Sequence, residues 1–352
     1  MTLLIDIIIN TIKTVLIVSV VLSLIPLLIW WERKGAAYIQ DRRGPNRANI
    51  LGIRLGGFIH NFADAIKLFF KEDIIPAKAN KVLFVAAPVI MLTSVVSLLA
   101  VIPLASPLRV GQFVIKMQIA DLNVGVIYLL AAGSFSVYAV MLAGWSSGGA
   151  YSLFGGLRAA AQFISYEAAA ALSLLGVVIF SGSVRLDEII ALQGVNVIDW
   201  NVVRQPLAFV LFLVCLFAES NRNPFDLPEG ESELVAGYHT EYSSMKFALF
   251  FMGEYAHIAI GSMILVTLFF GGWQVPFFST EALNDIWTYS AITVIVQFAC
   301  FMAKVLFWCW FFVWVRWTLP RFRYDQLMRL GWAVIVPLAL INIIVTACCV
   351  SF

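Results

Sequence analysis

Glu167, Glu219, Glu254, His257 and Lys304 are ionisable side chains set in or at the end of stretches that are otherwise apolar. Glu167 stands in "LRAAAQFISYEAAAALSLLG" (157–176), where alanines crowd both sides and let neighbouring helices approach closely. If the helix begins near Leu157, Glu167 lies about 15 Å deep at 1.5 Å per residue. Glu254 and His257, in "MGEYAHIAIG" (252–261), are three residues apart and fall on one helix face. Glu219 closes an apolar run and precedes Arg222 by three residues. Lys304 comes twelve residues before Arg316, about 18 Å inward if Arg316 marks a membrane surface. An ionisable group inside a span costs several kcal/mol and is by default a functional candidate. Helix association alone would explain one buried ion pair. Three carboxylates, a lysine and a histidine in one bundle point further. Burial favours a neutral carboxyl and a nearby cation favours the charged one, so groups balanced that way can exchange protons near neutral pH. His257 taken alone reads equally well as a satisfied core histidine.

The second concentration of chemistry is "ESNRNPFDLPEGESELVAGYHTEY" (219–242). It holds six carboxylates, Glu219, Asp226, Glu229, Glu231, Glu233 and Glu241, against Arg222. Pro224, Phe225, Leu227, Pro228, Leu234, Val235 and Tyr238 make it too apolar for a solvating loop. The prolines stiffen it, and Phe225 has the shape to fill an apolar site. We read a packed lobe that roofs a cavity leading down to Glu219, Glu167 and Glu254.

These groups need elements to hold them. Of the 352 residues, 61% are hydrophobic and 12% charged, where a soluble domain carries about a quarter charged. The class is therefore all-α integral membrane protein. Spans of about 20 apolar residues fall at about 8–31, 80–104, 121–145, 157–182, 201–219, 244–271, 286–317 and 331–351. They predict eight transmembrane helices in a single membrane domain, 1–352. The first run lacks a small-residue cleavage site and reads as a retained helix. The loop between the first two spans carries ten lysines and arginines, and seventeen of the chain's twenty-three fall on that side. The positive-inside rule then puts the 1–2, 3–4, 5–6 and 7–8 loops in the cytoplasm and both termini outside. Within the 1–2 loop, "GGFIHNFADAIKLFFKED" (56–73) places Ile59, Phe62, Ile66 and Phe69 at helical spacing around Asp64 and Lys67. It predicts an interfacial amphipathic helix over about 56–70. A second short amphipathic piece is expected at 185–193, and the acidic loop runs over 220–243. No internal repeat of the kind many transporters carry is evident.

A net charge of +2 gives no reason to expect a nucleic-acid partner. The five cysteines lie in apolar segments and read as buried thiols. No zinc or iron–sulfur spacing, GxGxxG turn or P-loop is present, so the chain is expected to bind no metal or redox cofactor of its own.

Five stretches carry a resemblance: "WERKGAAYIQDRRGPNR" (31–47), "FADAIKLFFKED" (62–73), "GWSSGGAYSLFGGLRAAAQFISYE" (144–167), "NRNPFDLPEGESELVAGYHTEYSSMKFALFFMGEY" (221–255) and "LPRFRYDQLMRLGW" (319–332). Together they resemble the H-type membrane subunit of bacterial NADH:quinone oxidoreductase, the counterpart of mitochondrial NADH dehydrogenase subunit 1 in respiratory complex I. The resemblance implies a subunit at the joint of the peripheral and membrane arms, with quinone as substrate. Flavin mononucleotide, iron–sulfur clusters and NADH would sit on partner subunits. It implies contacts with the peripheral-arm quinone-site subunits, with small membrane subunits and with lipid, in the bacterial cytoplasmic membrane. Carried over by position, a proton and charge path would use Glu167, Glu219, Asp226, Glu229, Glu231, Glu233, Glu241 and Glu254, with Lys304 added from its depth. The quinone chamber and joint would use Arg33, Arg42, Arg43, Asp64, Lys67, Arg222 and Tyr242. Some relatives carry a further acid in the third span near Ser134, where this chain has Gly133, Ser134 and Phe135. Competing readings are the homologous membrane subunit of a membrane-bound [NiFe] hydrogenase, a stand-alone ion or proton transporter, and a structural anchor.

Overall fold

The structure is a computed structural model, and it describes residues 2–50, 52, 54–110, 113–228, 230–286 and 290–351. It begins with α1 (Thr2–Ile39), whose 38 residues rise about 57 Å. That is well beyond a hydrocarbon core of about 30 Å. A 3-10 turn, Leu55–Gly57, leads into α2 (Ile59–Phe70), the amphipathic helix expected over 56–70. Ile59 at its start is buried, and the rest of its hydrophobic face, Phe62, Ile66 and Phe69, is exposed. Asn61 Nδ2 donates to the Pro26 carbonyl at 2.7 Å, and Ser244 Oγ donates to the Leu68 carbonyl at 3.1 Å. These bonds clamp α2 between the first span and the start of a later one.

Helix α3 (Lys81–Ser97) starts on an Asn80 cap whose side chain accepts from the Leu83 amide. It runs on as a 3-10 turn to Val101. A two-stranded antiparallel hairpin follows, β1 (Leu108–Val110) with β2 (Phe113–Ile115), Arg109 opposite Val114. Helices α4 (Gly125–Ser146) and α5 (Ala150–Ser181) then cross closely because their contact is made of small residues. A Cβ added at Gly144 would stand 2.5 Å from the Ser152 carbonyl oxygen.

The short α6 (Leu186–Gln193) matches the piece expected at 185–193. The span expected at 201–219 is broken. A single turn, α7 (Asn201–Arg204), is followed by non-helical Gln205 (φ −135°, ψ 62°) and then α8 (Pro206–Glu219). Pro206 disfavours helical geometry in the residue before it and itself suits the first position of a helix. At 14 residues, α8 rises about 21 Å. The acidic loop contains α9 (Glu231–Leu234) and a 3-10 turn at Gly237–His239.

Helix α10 (Ser244–Phe269) is the axis of the bundle and is buried without interruption from Gly253 to Phe269. A helix apolar on all sides belongs in such a position. After α11 (Thr280–Ile286) comes α12 (Ser290–Thr318). The last helix starts earlier than the expected 331. α13 (Tyr324–Arg329) passes through a π-helical turn, Leu330–Ile335, into α14 (Val336–Ser351). Among the described residues, seven helices are long and apolar enough to cross a membrane, and α8 is a shorter apolar eighth. The chain is a multi-pass membrane protein.

Candidate functional site

Where α1, α10 and the start of the acidic loop meet, three buried charged side chains and the half-buried Arg316 form one network. Arg222 is 3% exposed, Glu254 2% and Glu32 7%. One Arg222 nitrogen lies 3.3 Å from Glu254 Oε2 and the other 3.7 Å from Glu32 Oε1. Arg316, from the end of α12, forms a short contact with the same Glu32 oxygen. Tyrosines complete both carboxylates: Tyr255 donates to Glu32 at 2.8 Å and Tyr238 to Glu254 at 2.9 Å. The Arg222 guanidinium also lies over the Tyr255 ring at 4.3 Å. Charges taken this far from water need both partners and hydrogen bonds, and here each carboxylate has a cation and a phenol.

Local sequence explains the placement. The tyrosine of the 3-10 turn reaches Glu254 because Gly155 of α5 lets the loop lie directly on the helix. A Cβ at Gly155 would be 2.6 Å from the Tyr238 amide nitrogen. Gln162 of α5 fastens the first part of the loop, donating to the Ala218 carbonyl at 2.7 Å and the Phe225 carbonyl at 2.9 Å. Phe225 is buried against Tyr166 and Phe322.

A second polar group lies deeper. His257 Nε2 is 3.3 Å from Glu219 Oε2, and the Ser134 hydroxyl makes a short hydrogen bond to Glu167. Glu167, Glu219 and His257 line a common cavity of about 50 Å³, enough for a few waters. The two groups are linked through the backbone. Helix α10 supplies Glu254 to the upper network and His257, three residues on, to the cavity. The end of α8 supplies Glu219 to the cavity, and the loop that follows supplies Arg222, again three residues on, to the network.

A larger, mainly apolar cavity of about 600 Å³ opens between α1, α2 and α10, within the usual size range of ligand pockets. Pro26, Ile29, Leu68, Phe251 and Met252 contribute apolar walls, and Arg33, Asp64 and Lys67 supply charge. Arg33 pairs with Asp64 at 2.6 Å. Phe251 is shared, since its ring also lies 5.6 Å from the Arg222 guanidinium. Arg33 directly follows Glu32. The cavity wall and the ion network are thus one piece of structure.

Other expected residues lie elsewhere. Arg42 and Arg43 are exposed in the loop after α1. Tyr242 is buried away from the cavity, stacked on Phe84 at 4.0 Å. Burial pushes its phenol up to about 12 against Ser146 and Ser147, which lower it. Glu233 is exposed and paired with Arg158 at 2.6 Å, whose hydrogen bond holds its carboxyl below the ordinary value. Glu241 is exposed, its carboxylate 3.3 Å from where a Cβ on Gly149 would stand. Asp226 is half-buried in the loop. Glu231 begins α9, and Glu229 lies outside the described residues. Lys304 joins no carboxylate among the described residues. Its ammonium donates to the carbonyls of Phe270, Gly272 and Gln274 at 2.8–3.0 Å and lies 4.4 Å from the Trp200 ring.

Sequence reasoning passed over Glu32, Tyr238 and Tyr255 and took Arg316 for a surface marker. The available signal for Glu32 was its position in "IWWERKG" (29–35), a carboxylate at the end of an apolar span.

A family profile described as NADH dehydrogenase matches residues 12–347. An H-type NADH-quinone oxidoreductase subunit of Cytophaga hutchinsonii is 46% identical over 319 residues, covering 91% of this chain and 90% of that protein. The H-type NADH-quinone oxidoreductase subunit of Bdellovibrio bacteriovorus is 42% identical over 375 residues, covering 97% and 96%. NADH-quinone oxidoreductase subunit 8 of Rhodothermus marinus is 44% identical over 339 residues, covering 94% of each chain.

Proposed function

The chain belongs to the NADH dehydrogenase family, and on that premise we propose that it is the quinone-side membrane subunit of a proton-translocating NADH:quinone oxidoreductase. In this reading the cavity between α1, α2 and α10 admits quinone, and the buried network carries the consequence of its reduction into the membrane. The observation that carries the proposal is the shared wall: Phe251 lines the cavity and touches Arg222, while Arg33 lines it next to Glu32.

The chemistry follows. Quinone takes up two electrons and two protons to become quinol. The electrons come from iron–sulfur clusters on partner subunits, fed by NADH through flavin mononucleotide. Negative charge or proton demand at the cavity alters the field at Glu32 and Arg222, a few ångströms away in a low-dielectric region where charges interact strongly. Arg222 faces Glu32 on one side and Glu254 on the other, so a change at one carboxylate alters its pull on the second. The links from Glu254 to His257 and from Arg222 to Glu219 bring that change to the inner cavity, where Glu219 and Glu167 can exchange protons through water. Neighbouring membrane subunits take it onward. Asp226, Glu229, Glu231, Glu233 and Glu241 belong to the loop that supports the network at the joint with the peripheral arm. Arg42, Arg43 and Tyr242 belong to that joint as well.

The distribution of lysine and arginine supports a bacterial cytoplasmic membrane location with the network on the inner side and both termini outside. α8 counts as the eighth span of one membrane domain. Ala65→Trp tests the quinone site, because Ala65 is an exposed α2 residue in the cavity wall. It should raise the KM for quinone about tenfold and leave NADH oxidation by an artificial flavin-site acceptor unchanged. An unaltered quinone KM would remove the cavity from the account.

A further inference from the structure

The end of α1 remote from the ion network carries a second site. Lys13 lines two adjoining cavities. One, of about 450 Å³, is almost wholly apolar and lies between the first turns of α1, the segment around Leu104 and Met117, and Val294 and Phe298 of α12. The other, of about 270 Å³, is more polar and is lined by Asn10, Lys116, Gln118 and Asp121. Ile9 and Ile115 join Lys13 in both.

Three observations identify the occupant. The first is depth. Lys13 precedes Arg33 by twenty residues, a rise of about 30 Å, which matches the hydrocarbon thickness of a bilayer. If Arg33 lies at one membrane surface, Lys13 lies at headgroup level on the other. The second is charge. Asp121 is held by both Lys116 and Arg185, and those cations hold its carboxyl low, the Lys116 hydrogen bond above all. Lys13 forms no ion pair among the described residues. The polar compartment therefore offers an ammonium to an anion. The third is construction. The groove wall is fastened from behind: the Ser106 amide donates to Gln297 Oε1 at 3.1 Å, and the Leu104 amide donates to the Met117 carbonyl at 3.0 Å.

We infer that this is a binding site for one anionic phospholipid of the leaflet opposite the ion network. Its phosphate meets Lys13 beside Asn10, and one acyl chain fills the groove between α1 and α12. A zwitterionic lipid would place a second cation beside Lys13 and lose the charge match. Such a lipid would seal the seam between α1 and α12 on the side away from the quinone cavity, and it does not depend on the quinone reading.

The test uses the intact purified assembly in nanodiscs. Phosphatidylglycerol and phosphatidylcholine, each with a diazirine in the acyl chain, are the probes in separate samples. Irradiation should label residues 9–20 or 294–298 about fivefold more with the phosphatidylglycerol probe, the factor expected of one lysine near an anionic headgroup. Lys13→Gln should bring that labelling down to the phosphatidylcholine level, and Lys13→Arg should restore it. Val294→Trp, which fills the groove and keeps the lysine, should abolish labelling by both probes. Equal labelling by the two lipids, or labelling indifferent to Lys13→Gln, would overturn the inference. So would a photoreactive residue at position 12 that captures a neighbouring polypeptide instead of lipid.

Discussion

Arg222 and Lys304 are both cations inside the bundle, and the protein satisfies them in opposite ways. Arg222, near the start of the acidic loop, faces Glu32 and Glu254. Lys304, in α12, faces three backbone carbonyls beyond the last turn of α10 and an indole ring. Both arrangements meet the cost of a buried charge. Only the first sets the cation against partners that can themselves change protonation. A carboxylate can take a proton and release its arginine, whereas a carbonyl stays as it is. The comparison divides the molecule into a region built to respond and a region built to hold. Lys304 caps α10 and ties it to α12, and its depth in the span, which first marked it as a candidate for the path, serves that fastening.

The largest effect is expected at Arg222. Arg222→Met removes the cation that faces two buried carboxylates, and removing one partner of a buried pair costs about 3–5 kcal/mol. Thermal denaturation of the assembly should show that loss, with subunit dissociation at lower temperature. Gly155→Ala strikes the same region indirectly. The added methyl meets loop backbone at 2.6 Å, overpacking that costs about 1–3 kcal/mol, and displaces Tyr238 from Glu254. Coupled turnover should fall with stability, and Gly155→Ser should behave no better.

Lys304→Met tests the holding region. It strips three carbonyls of their donor and should cost about 2 kcal/mol. The proton yield per NADH oxidised should stay unchanged in the enzyme that assembles. A lower proton yield would return Lys304 to the path. The smallest effect is expected at the surface. Arg158–Glu233 is a half-exposed pair worth roughly 0.2–1 kcal/mol. The arginine lowers the Glu233 pKa, so the contribution is present above the ordinary carboxylate value and is lost as pH falls through the lowered one. The stability difference between wild type and Glu233→Gln should vanish on acidification.

Much of this division was legible in the sequence, residue by residue. Glu167, Glu219 and Glu254 stood out because a charge in an apolar run is costly. Phe225 and the two prolines gave the acidic loop away as packed, and the structure buries Phe225. Helix α2 was legible from its period, and the alanines on both sides of Glu167 announced close helix contact, with Ala159, Ala160, Ala169 and Ala170 buried. Glu32 was hidden because Arg33 and Lys34 follow it, so the trio resembles an ordinary membrane boundary. Tyr238 and Tyr255 were hidden because an aromatic residue in an apolar segment says nothing about where its hydroxyl points. The break at Gln205 was written in Pro206, but the long apolar run outweighed it. The π-helical turn at Leu330–Ile335 has no local sequence signature. It comes with tertiary ties, Trp332 to Ser165 and Tyr166 to the Leu327 carbonyl.

The central claim is that carboxylates beside Arg222 and in the inner cavity couple quinone reduction to proton movement. The most direct measurement is the number of protons translocated per NADH oxidised in Glu219→Gln and Glu254→Gln enzymes, with full subunit content verified. The account predicts assembled enzymes in which quinone reduction and proton translocation fall together, or in which the proton yield falls below that of wild type. Unchanged turnover with an unchanged proton yield in both variants would contradict it and leave the network a structural joint.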